Sequence, residues 1–141
     1  MQSVADDEPP TTEELEAYRA AGRMWVVRAG DQPVGYALAE PVDGHGHLAQ
    51  LSVVPTHGRR GLGRALCRQV EDWARVQGHG AVTLTTFADV AWNAPYYRRL
   101  GYRFMPEAEF GPQLRAIAAA ETDRGLWRWP RLAMIKPIGL D

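Results

Sequence analysis

The chain has 141 residues, of which 45% are hydrophobic and 23% are charged, and its formal net charge is −1. This length and composition predict a single globular domain, and the near-neutral charge provides no basic field that would attract nucleic acid. Because no apolar run reaches the roughly 18 residues of a membrane span and no signal-peptide core is present, we expect a cytoplasmic protein without a membrane partner. The single cysteine excludes an intrachain disulfide, and four histidines without ligand spacing predict no metal site.

The first part of the chain predicts one helix followed by three strands. Residues 1–10 are acidic and end in two prolines, and we interpret them as an extended lead-in to one domain over residues 1–141. Thr11 and Glu14 form a capping box that begins a helix, which Gly22 ends. The next elements are strands over residues 24–28, 34–40 and 47–54. Their short connections predict an antiparallel meander.

The third predicted strand presents two faces, because successive side chains of a strand point to opposite sides of the sheet. Its odd-numbered residues are expected to share one face: His47, Ala49, Leu51 and Val53. Its even-numbered residues are expected on the other face.

The second part of the chain predicts helices that alternate with strands. In chain order these are a helix over 62–77, a strand over 81–86, a short helix from Asn93 to Gly101, a strand over 102–105, a helix between Pro112 and Gly125, and a strand over 131–136. A meander followed by crossover connections predicts a mixed sheet with helices on its faces, which is an α/β (α+β layered) domain.

The segment between the third strand and the next helix is rich in glycine and arginine. Its glycines are Gly58, Gly61 and Gly63, and its arginines are Arg59, Arg60 and Arg64. Glycines allow backbone N–H groups to converge on an anion, and the helix that follows adds unpaired N–H groups and the positive end of its dipole. We therefore expect this loop to bind a phosphate or a pyrophosphate.

The glycine spacing of this loop also leaves two alternatives open. Its G-x-x-G-x-G spacing fits neither the Walker loop nor the dinucleotide fingerprint, so nucleotide-phosphate binding is an alternative with little support. A tight turn that binds no ligand is the second alternative.

Two segments together resemble the signatures of a known family. The run from Arg59 to Leu66, preceded by Pro55, resembles the acetyl-CoA loop of the GCN5-related N-acetyltransferases (GNAT). Further along, Tyr97 stands four residues before Gly101-Tyr102, which resembles the second signature of that family. The resemblance covers about residues 24–105. It implies a mostly antiparallel GNAT-like sheet and transfer of an acetyl group from acetyl-CoA to a primary amine of a small molecule or peptide, by direct attack in a ternary complex.

The resemblance also implies where coenzyme A binds. The pantetheine would pair with an exposed edge of the strand before the loop, in a cleft where two strands splay, and the diphosphate would lie on the loop amides. Amides of that strand edge would also stabilise the tetrahedral oxyanion. The implied cofactor-binding residues are Leu51, Ser52, Val53, Gly58, Arg59, Arg60, Gly61, Leu62, Gly63, Arg64, Asn93 and Tyr97.

Two catalytic residues are candidates. Tyr97 stands where the family places the acid that protonates the leaving thiolate, and the alternative is that its ring only packs beneath the cofactor. Tyr96 is expected to face elsewhere on the helix. His47 is the candidate base, since Ala49 occupies a position where members often carry a glutamate. A water chain, or a purely structural role for His47, stays open.

The sequence departs from the family pattern at several places. Gly58 replaces a residue that is commonly Gln or Arg, and Val90 stands where many members carry the cofactor-binding Asn. The first strand and helix of the family are missing from the predicted order, and an uncovered sheet edge favours a homodimer. A non-catalytic module that binds or senses acyl-CoA is therefore the alternative to an enzyme.

Overall fold

The computed structural model describes residues 11–54, 61–87, 94–123 and 131–139, and each helix and strand expected from the sequence is present. The helices are α1 (Thr12–Ala20), α2 (Leu62–Val76), α3 (Ala94–Arg99) and α4 (Pro112–Asp123). The strands are β1 (Met24–Ala29), β2 (Gln32–Val42), β3 (His45–Val53), β4 (Ala81–Phe87), β5 (Arg103–Met105) and β6 (Arg131–Pro137). A short 3-10 helix, Glu107–Glu109, connects β5 to α4.

The strands form one six-stranded sheet in the order β1-β2-β3-β4-β6-β5. The β3–β4 pair is parallel, and the other neighbouring pairs are antiparallel. The predicted meander and the mixed, mostly antiparallel sheet are thus confirmed. None of the described helices is both long and apolar enough to cross a membrane.

Local sequence signals explain why the helices begin where they do. At the start of α1, the Thr11 hydroxyl accepts a hydrogen bond from the Glu14 N–H at 3.1 Å, and the Glu14 carboxylate accepts one from the Thr11 N–H at 2.9 Å. This confirms the predicted capping box. At the start of α4, the Asp43 carboxylate accepts hydrogen bonds from the N–H groups of Gln113 and Leu114, both at 2.9 Å. The β2–β3 turn therefore fixes the position of α4.

Helices cover both faces of the sheet. One face packs against α2 and α3 through a core that includes Leu66, Val70 and Ala74 of α2. The opposite face packs against α4 through a second cluster that includes Val42 and Leu114. Because the two faces bury separate clusters, the sheet forms the middle layer of the domain.

A β-bulge in β3 overturns the predicted alternation of its side chains. Leu38 pairs with Gln50 and Ala39 pairs with Leu48, so Ala49 is an extra residue without a partner on β2. Leu48 belongs to the core beneath α2, and Leu51, three residues later, packs against the same core. The prediction that His47 and Ala49 share a face with Leu51 is wrong, since the extra residue reverses the alternation.

Candidate functional site

The strands β3 and β4 separate soon after they begin to pair. Their parallel ladder contains two pairs, Gly46 with Val82 and His47 with Thr83. Beyond this point β3 stays paired with β2 as far as Val53, and β4 stays paired with β6 as far as Phe87. From Leu48 onward, no strand in the described ranges pairs with the side of β3 that faces β4. The parallel ladder therefore ends where the resemblance implied a cleft between two splayed strands.

The predicted strand-edge residues lie along this cleft. Leu51 and Val53 direct their side chains toward the core beneath α2, and Val53 is buried. Ser52 lies opposite Tyr36 of β2 and is half-buried. The side chains of a strand point above and below the sheet, so its edge is formed by backbone groups. The backbone of Leu51, Ser52 and Val53 therefore borders the opening between β3 and β4.

The N-terminus of α2 follows β3 and is built around a glycine. Gly61 is the N-cap residue with φ +75°, a conformation that favours glycine, and no side chain in the described part of the chain caps the helix there. A Cβ at Gly61 would meet no atom of the described residues within 4 Å. The first turn carries no acidic residue. The N–H groups of Leu62, Gly63 and Arg64 are those that an anion would contact.

Four of the predicted cofactor contacts cannot be placed. Gly58, Arg59, Arg60 and Asn93 lie outside the described residues. The structure therefore brings together the edge of β3 and the first turn of α2, and the loop between them stays a prediction.

Tyr96 contacts the first turn of α2, which the sequence did not predict. A Cβ at Gly63 would lie 2.5 Å from the Tyr96 hydroxyl oxygen, so any side chain at this position would displace the Tyr96 ring. Burial raises the pKa of Tyr96 to about 12, with a further contribution from Cys67. A contact between two helices leaves no local signal in the sequence, although the unusual glycine inside the first helical turn is consistent with a close approach.

Tyr97 lies in the core between α3, α2 and the sheet, and it is 6% exposed. Its ring makes edge-to-face contacts with Tyr96 and Tyr102, with centroids 5.4 and 5.8 Å away. These contacts hold the Tyr97 ring in one position. A fixed ring is needed both for a proton donor to the thiolate and for a ring that only packs beneath the cofactor. The role of its hydroxyl stays a prediction.

His47 occupies the point at which β3 and β4 separate, and its contacts fit the structural alternative. Its side chain is 3% exposed, and its Nδ1 lies 2.9 Å from the Thr83 hydroxyl oxygen. Burial lowers the pKa of His47 to about 4, and the negative charge of Asp43 offsets only part of that shift. The imidazole is therefore neutral at neutral pH and shielded from solvent. A catalytic role would require the substrate to reach this enclosed side chain.

Comparison of the sequence with known proteins finds matches to N-acetyltransferases. Residues 2–102 match the family model described as Acetyltransferase (GNAT) family. The chain is 28% identical over 107 residues to the Uncharacterized N-acetyltransferase YjcF of Bacillus subtilis (strain 168), over 76% of this chain and 74% of that protein. It is 40% identical over 73 residues to N-acetyltransferase 8F1 of Rattus norvegicus, over 48% of this chain and 33% of the rat protein.

Solved structures share the fold at low sequence identity. N-acetylglutamate synthase from Neisseria gonorrhoeae, complexed with coenzyme A and N-acetyl-glutamate, matches with a TM-score of 0.71 and 16% identity, over 93% of this chain and 28% of that chain. The ribosomal-protein-S18-alanine N-acetyltransferase from Escherichia coli matches with a TM-score of 0.63 and 21% identity, over 94% of this chain and 80% of that chain. At these identities the likeness establishes the fold.

Proposed function

Because the chain belongs to the acetyltransferase (GNAT) family, we propose that it transfers an acetyl group from acetyl-CoA to a primary amine of a small molecule or peptide. The observation that carries this proposal is the open side of β3 next to the uncapped N-terminus of α2. The first feature suits an extended amide-containing chain such as pantetheine, and the second suits a diphosphate. These two groups are adjacent in acetyl-CoA.

We propose that the donor binds along these two features. The pantetheine amides pair with the backbone of Leu51, Ser52 and Val53, as an added strand pairs with a sheet edge. The diphosphate accepts hydrogen bonds from the first-turn N–H groups of α2, where the helix dipole is positive. The thioester then lies in the cleft between β3 and β4. The synthase named above was crystallised with coenzyme A.

In the proposed reaction the neutral amine nitrogen attacks the thioester carbonyl carbon in a ternary complex. A C–N bond forms, the C–S bond breaks, and the thiolate of coenzyme A takes a proton from the Tyr97 hydroxyl. The burial of Tyr97 among aromatic rings supports this role, because a fixed phenol can lie close to the sulfur. Water takes the amine proton in this scheme, because His47 is enclosed, and the Tyr97 phenolate regains a proton from water.

A small-molecule amine and a peptide amine both suit the scheme, and the cytoplasmic location and homodimer expected from the sequence stay predictions. The enclosed His47 and the absence of a carboxylate at Ala49 favour the alternative, an acyl-CoA-binding module without turnover.

Amine-dependent release of free thiol tests the proposal against this alternative. We expect the protein to release coenzyme A from acetyl-CoA when the correct member of a panel of polyamines, amino acids, aminoglycosides and peptides is added, and to add one acetyl group to that amine by mass. Binding of coenzyme A without thiol release above the protein-free rate, for any amine at any pH, would instead identify a binding module.

The pH profile of the same reaction tests the proposed path of the amine proton. If water accepts that proton, kcat/KM should rise with pH and level off near the pKa of each amine used. An inflection that stays at the same pH for amines of different pKa would show that a protein side chain is the base.

A further inference from the structure

Glu40 is an acidic residue of β2 whose side chain lies on the face of the sheet turned away from α2. Its neighbour Ala39 belongs to the core beneath α2, and successive side chains of a strand point to opposite faces. The cross-strand partner of Glu40 is His47, the residue at which β3 and β4 separate. Glu40 therefore lies beside the point where the proposed donor cleft begins, on the face opposite to the helix that is proposed to bind the diphosphate.

The Glu40 carboxylate is half-buried and makes no ion pair in the described part of the chain. The Tyr18 hydroxyl of α1 donates a hydrogen bond to its Oε2 at 3.5 Å, which is beyond the usual length of such a bond. Burial and the negative charge of Glu40 raise the pKa of Tyr18 to about 12, so this hydroxyl stays protonated. Because charges that lose part of their hydration are normally paired, a cation of a ligand would suit this carboxylate.

Two basic residues close to Glu40 do not neutralise it. Arg23 donates a hydrogen bond from Nη1 to the Ala39 carbonyl oxygen at 2.9 Å, and its guanidinium carbon lies 5.2 Å from the centroid of the Tyr18 ring. These contacts hold the guanidinium away from an ion pair with Glu40. His47 is neutral, since burial lowers its pKa to about 4. The negative charge of Glu40 is thus available to a ligand.

The acceptor amine must approach the thioester from a direction that the donor leaves free. In the proposed complex the donor occupies the edge of β3 and the N-terminus of α2, which packs on one face of the sheet. On the other face, Gln50 and Ser52 of β3 pair with β2 residues that share the face of Glu40. Both side chains are half-buried, so the described helices leave this part of the sheet partly open. An acceptor that enters here passes the Glu40 carboxylate.

We propose that Glu40 determines the specificity of the acceptor site by binding a second, protonated amino group of the acceptor. The assignment rests on the proposed function, in which the attacking nitrogen is neutral. The cation at Glu40 is therefore a different group of the same molecule, and it donates charge-assisted hydrogen bonds to the carboxylate. A small diamine carries such an alkylammonium group, and so does a peptide with a lysine side chain.

The same contact disfavours two other classes of amine. A monoamine has no second ammonium group, so it gains nothing from Glu40 while its nitrogen attacks. A free amino acid would bring its own carboxylate toward Glu40, and the two like charges would repel each other. The acceptor class that this site favours is thus an amine with an additional positive charge.

Rates with matched amines test the assignment. A series of diaminoalkanes of increasing chain length is compared with monoamines of the same length, and a lysine-containing peptide with its norleucine analogue. We expect at least one cationic member to have a kcat/KM roughly tenfold above that of its match, as a charge-assisted contact to one ammonium group would give. In Glu40→Gln we expect that advantage to disappear, mainly through a higher KM, while the rates with the matched monoamine or norleucine peptide stay unchanged.

Two further variants show whether the charge of Glu40 is responsible. Glu40→Asp keeps the charge on a shorter side chain, and we expect it to prefer the cationic acceptor more strongly than Glu40→Gln does. Glu107→Gln removes an exposed carboxylate that follows β5, and three strands separate β5 from β2 in the sheet. We expect this control to behave as the unmodified protein.

Calorimetry supplies a measurement that needs no turnover. We expect the diaminoalkane or lysine peptide to bind the protein saturated with coenzyme A, and to bind Glu40→Gln about tenfold more weakly. Binding that depends on Glu40, without thiol release for any amine, would reject only the transferase proposal. Thiol release with equal rates for all matched pairs would reject only the assignment of Glu40. A preference confined to the lysine peptide would support the assignment and identify a peptide as the acceptor.

Three results would overturn the assignment. Equal kcat/KM values of the unmodified protein within each matched pair would exclude a site for a second cation. An equal fall for both members of a pair in Glu40→Gln would show that Glu40 acts on the attacked amine or on the fold, and the melting temperature distinguishes these two roles. A Glu40→Gln protein with unchanged rates and unchanged binding would place Glu40 outside the acceptor site.

Discussion

A Gly61→Asp protein is expected to lose at least ~100-fold in affinity for acetyl-CoA, about 3 kcal/mol, while it stays folded. Gly61 caps α2 with φ +75°, and a Cβ there would meet no atom of the described residues within 4 Å. Aspartate tolerates this backbone conformation better than most residues do. Its carboxylate would lie at the positive end of the helix, where it would repel the diphosphate and compete for the same N–H groups. Isothermal calorimetry measures the affinity for acetyl-CoA, and a thermal melt shows whether the variant stays folded.

Two further variants separate charge from backbone strain. Gly61→Asn introduces a side chain of similar size without the charge, and we expect it to bind acetyl-CoA far more tightly than Gly61→Asp does. Gly78→Asp places the same residue at the opposite end of α2, at φ +85° and with no atom near its Cβ. We expect it to leave binding unchanged. If Gly61→Asp bound acetyl-CoA as tightly as the unmodified protein, the N-terminus of α2 would not be the diphosphate site.

Tyr97→Phe is expected to lower kcat by roughly 100-fold and to change the affinity for acetyl-CoA by less than about twofold. The substitution keeps the ring, which is 6% exposed and packed edge-to-face against Tyr96 and Tyr102. The fold and the cofactor site should therefore persist. The hydroxyl proposed to protonate the leaving thiolate is removed. Steady-state kinetics with the amine identified in the panel, together with calorimetry, measure the two quantities.

Tyr102→Phe is the matched control for this experiment. It removes a hydroxyl from the same aromatic cluster, and that hydroxyl donates to Glu71 at 3.0 Å. We expect it to lower the free energy of unfolding by about 1 kcal/mol or more and to leave kcat largely unchanged. A Tyr97→Phe protein with unchanged kcat would show that Tyr97 only packs beneath the cofactor.

The elements of the fold could be predicted from the sequence because their signals are local. The Thr11 capping box begins α1 as expected, and the apolar residues of α2 recur at helical spacing and are buried. Gly61 belongs to the glycine-rich loop that the sequence predicts before α2. The positive φ of Gly61 in the structure is the physical reason for a glycine at this position. Each of these features depends on residues within one or two turns of each other.

The features that could not be predicted depend on contacts between distant segments. The bulge at Ala49 arises from the pairing of β3 with β2, and one extra residue is enough to move His47 to the opposite face from Leu51. The enclosure of His47 depends on β4, which supplies Thr83. Residues 65 positions apart form the ion pair between Glu71 and Lys136. Periodicity within one strand or helix carries no information about any of these contacts.

Amide hydrogen exchange in β3, measured with and without coenzyme A, tests whether the open edge of this strand is the donor site. We expect saturating coenzyme A to slow exchange of backbone amides at residues 51–53 and in the first turn of α2. The same experiment should leave the amides of the outer strand β1 unchanged. If coenzyme A bound to the protein without slowing exchange in β3, the donor site would lie elsewhere on the protein.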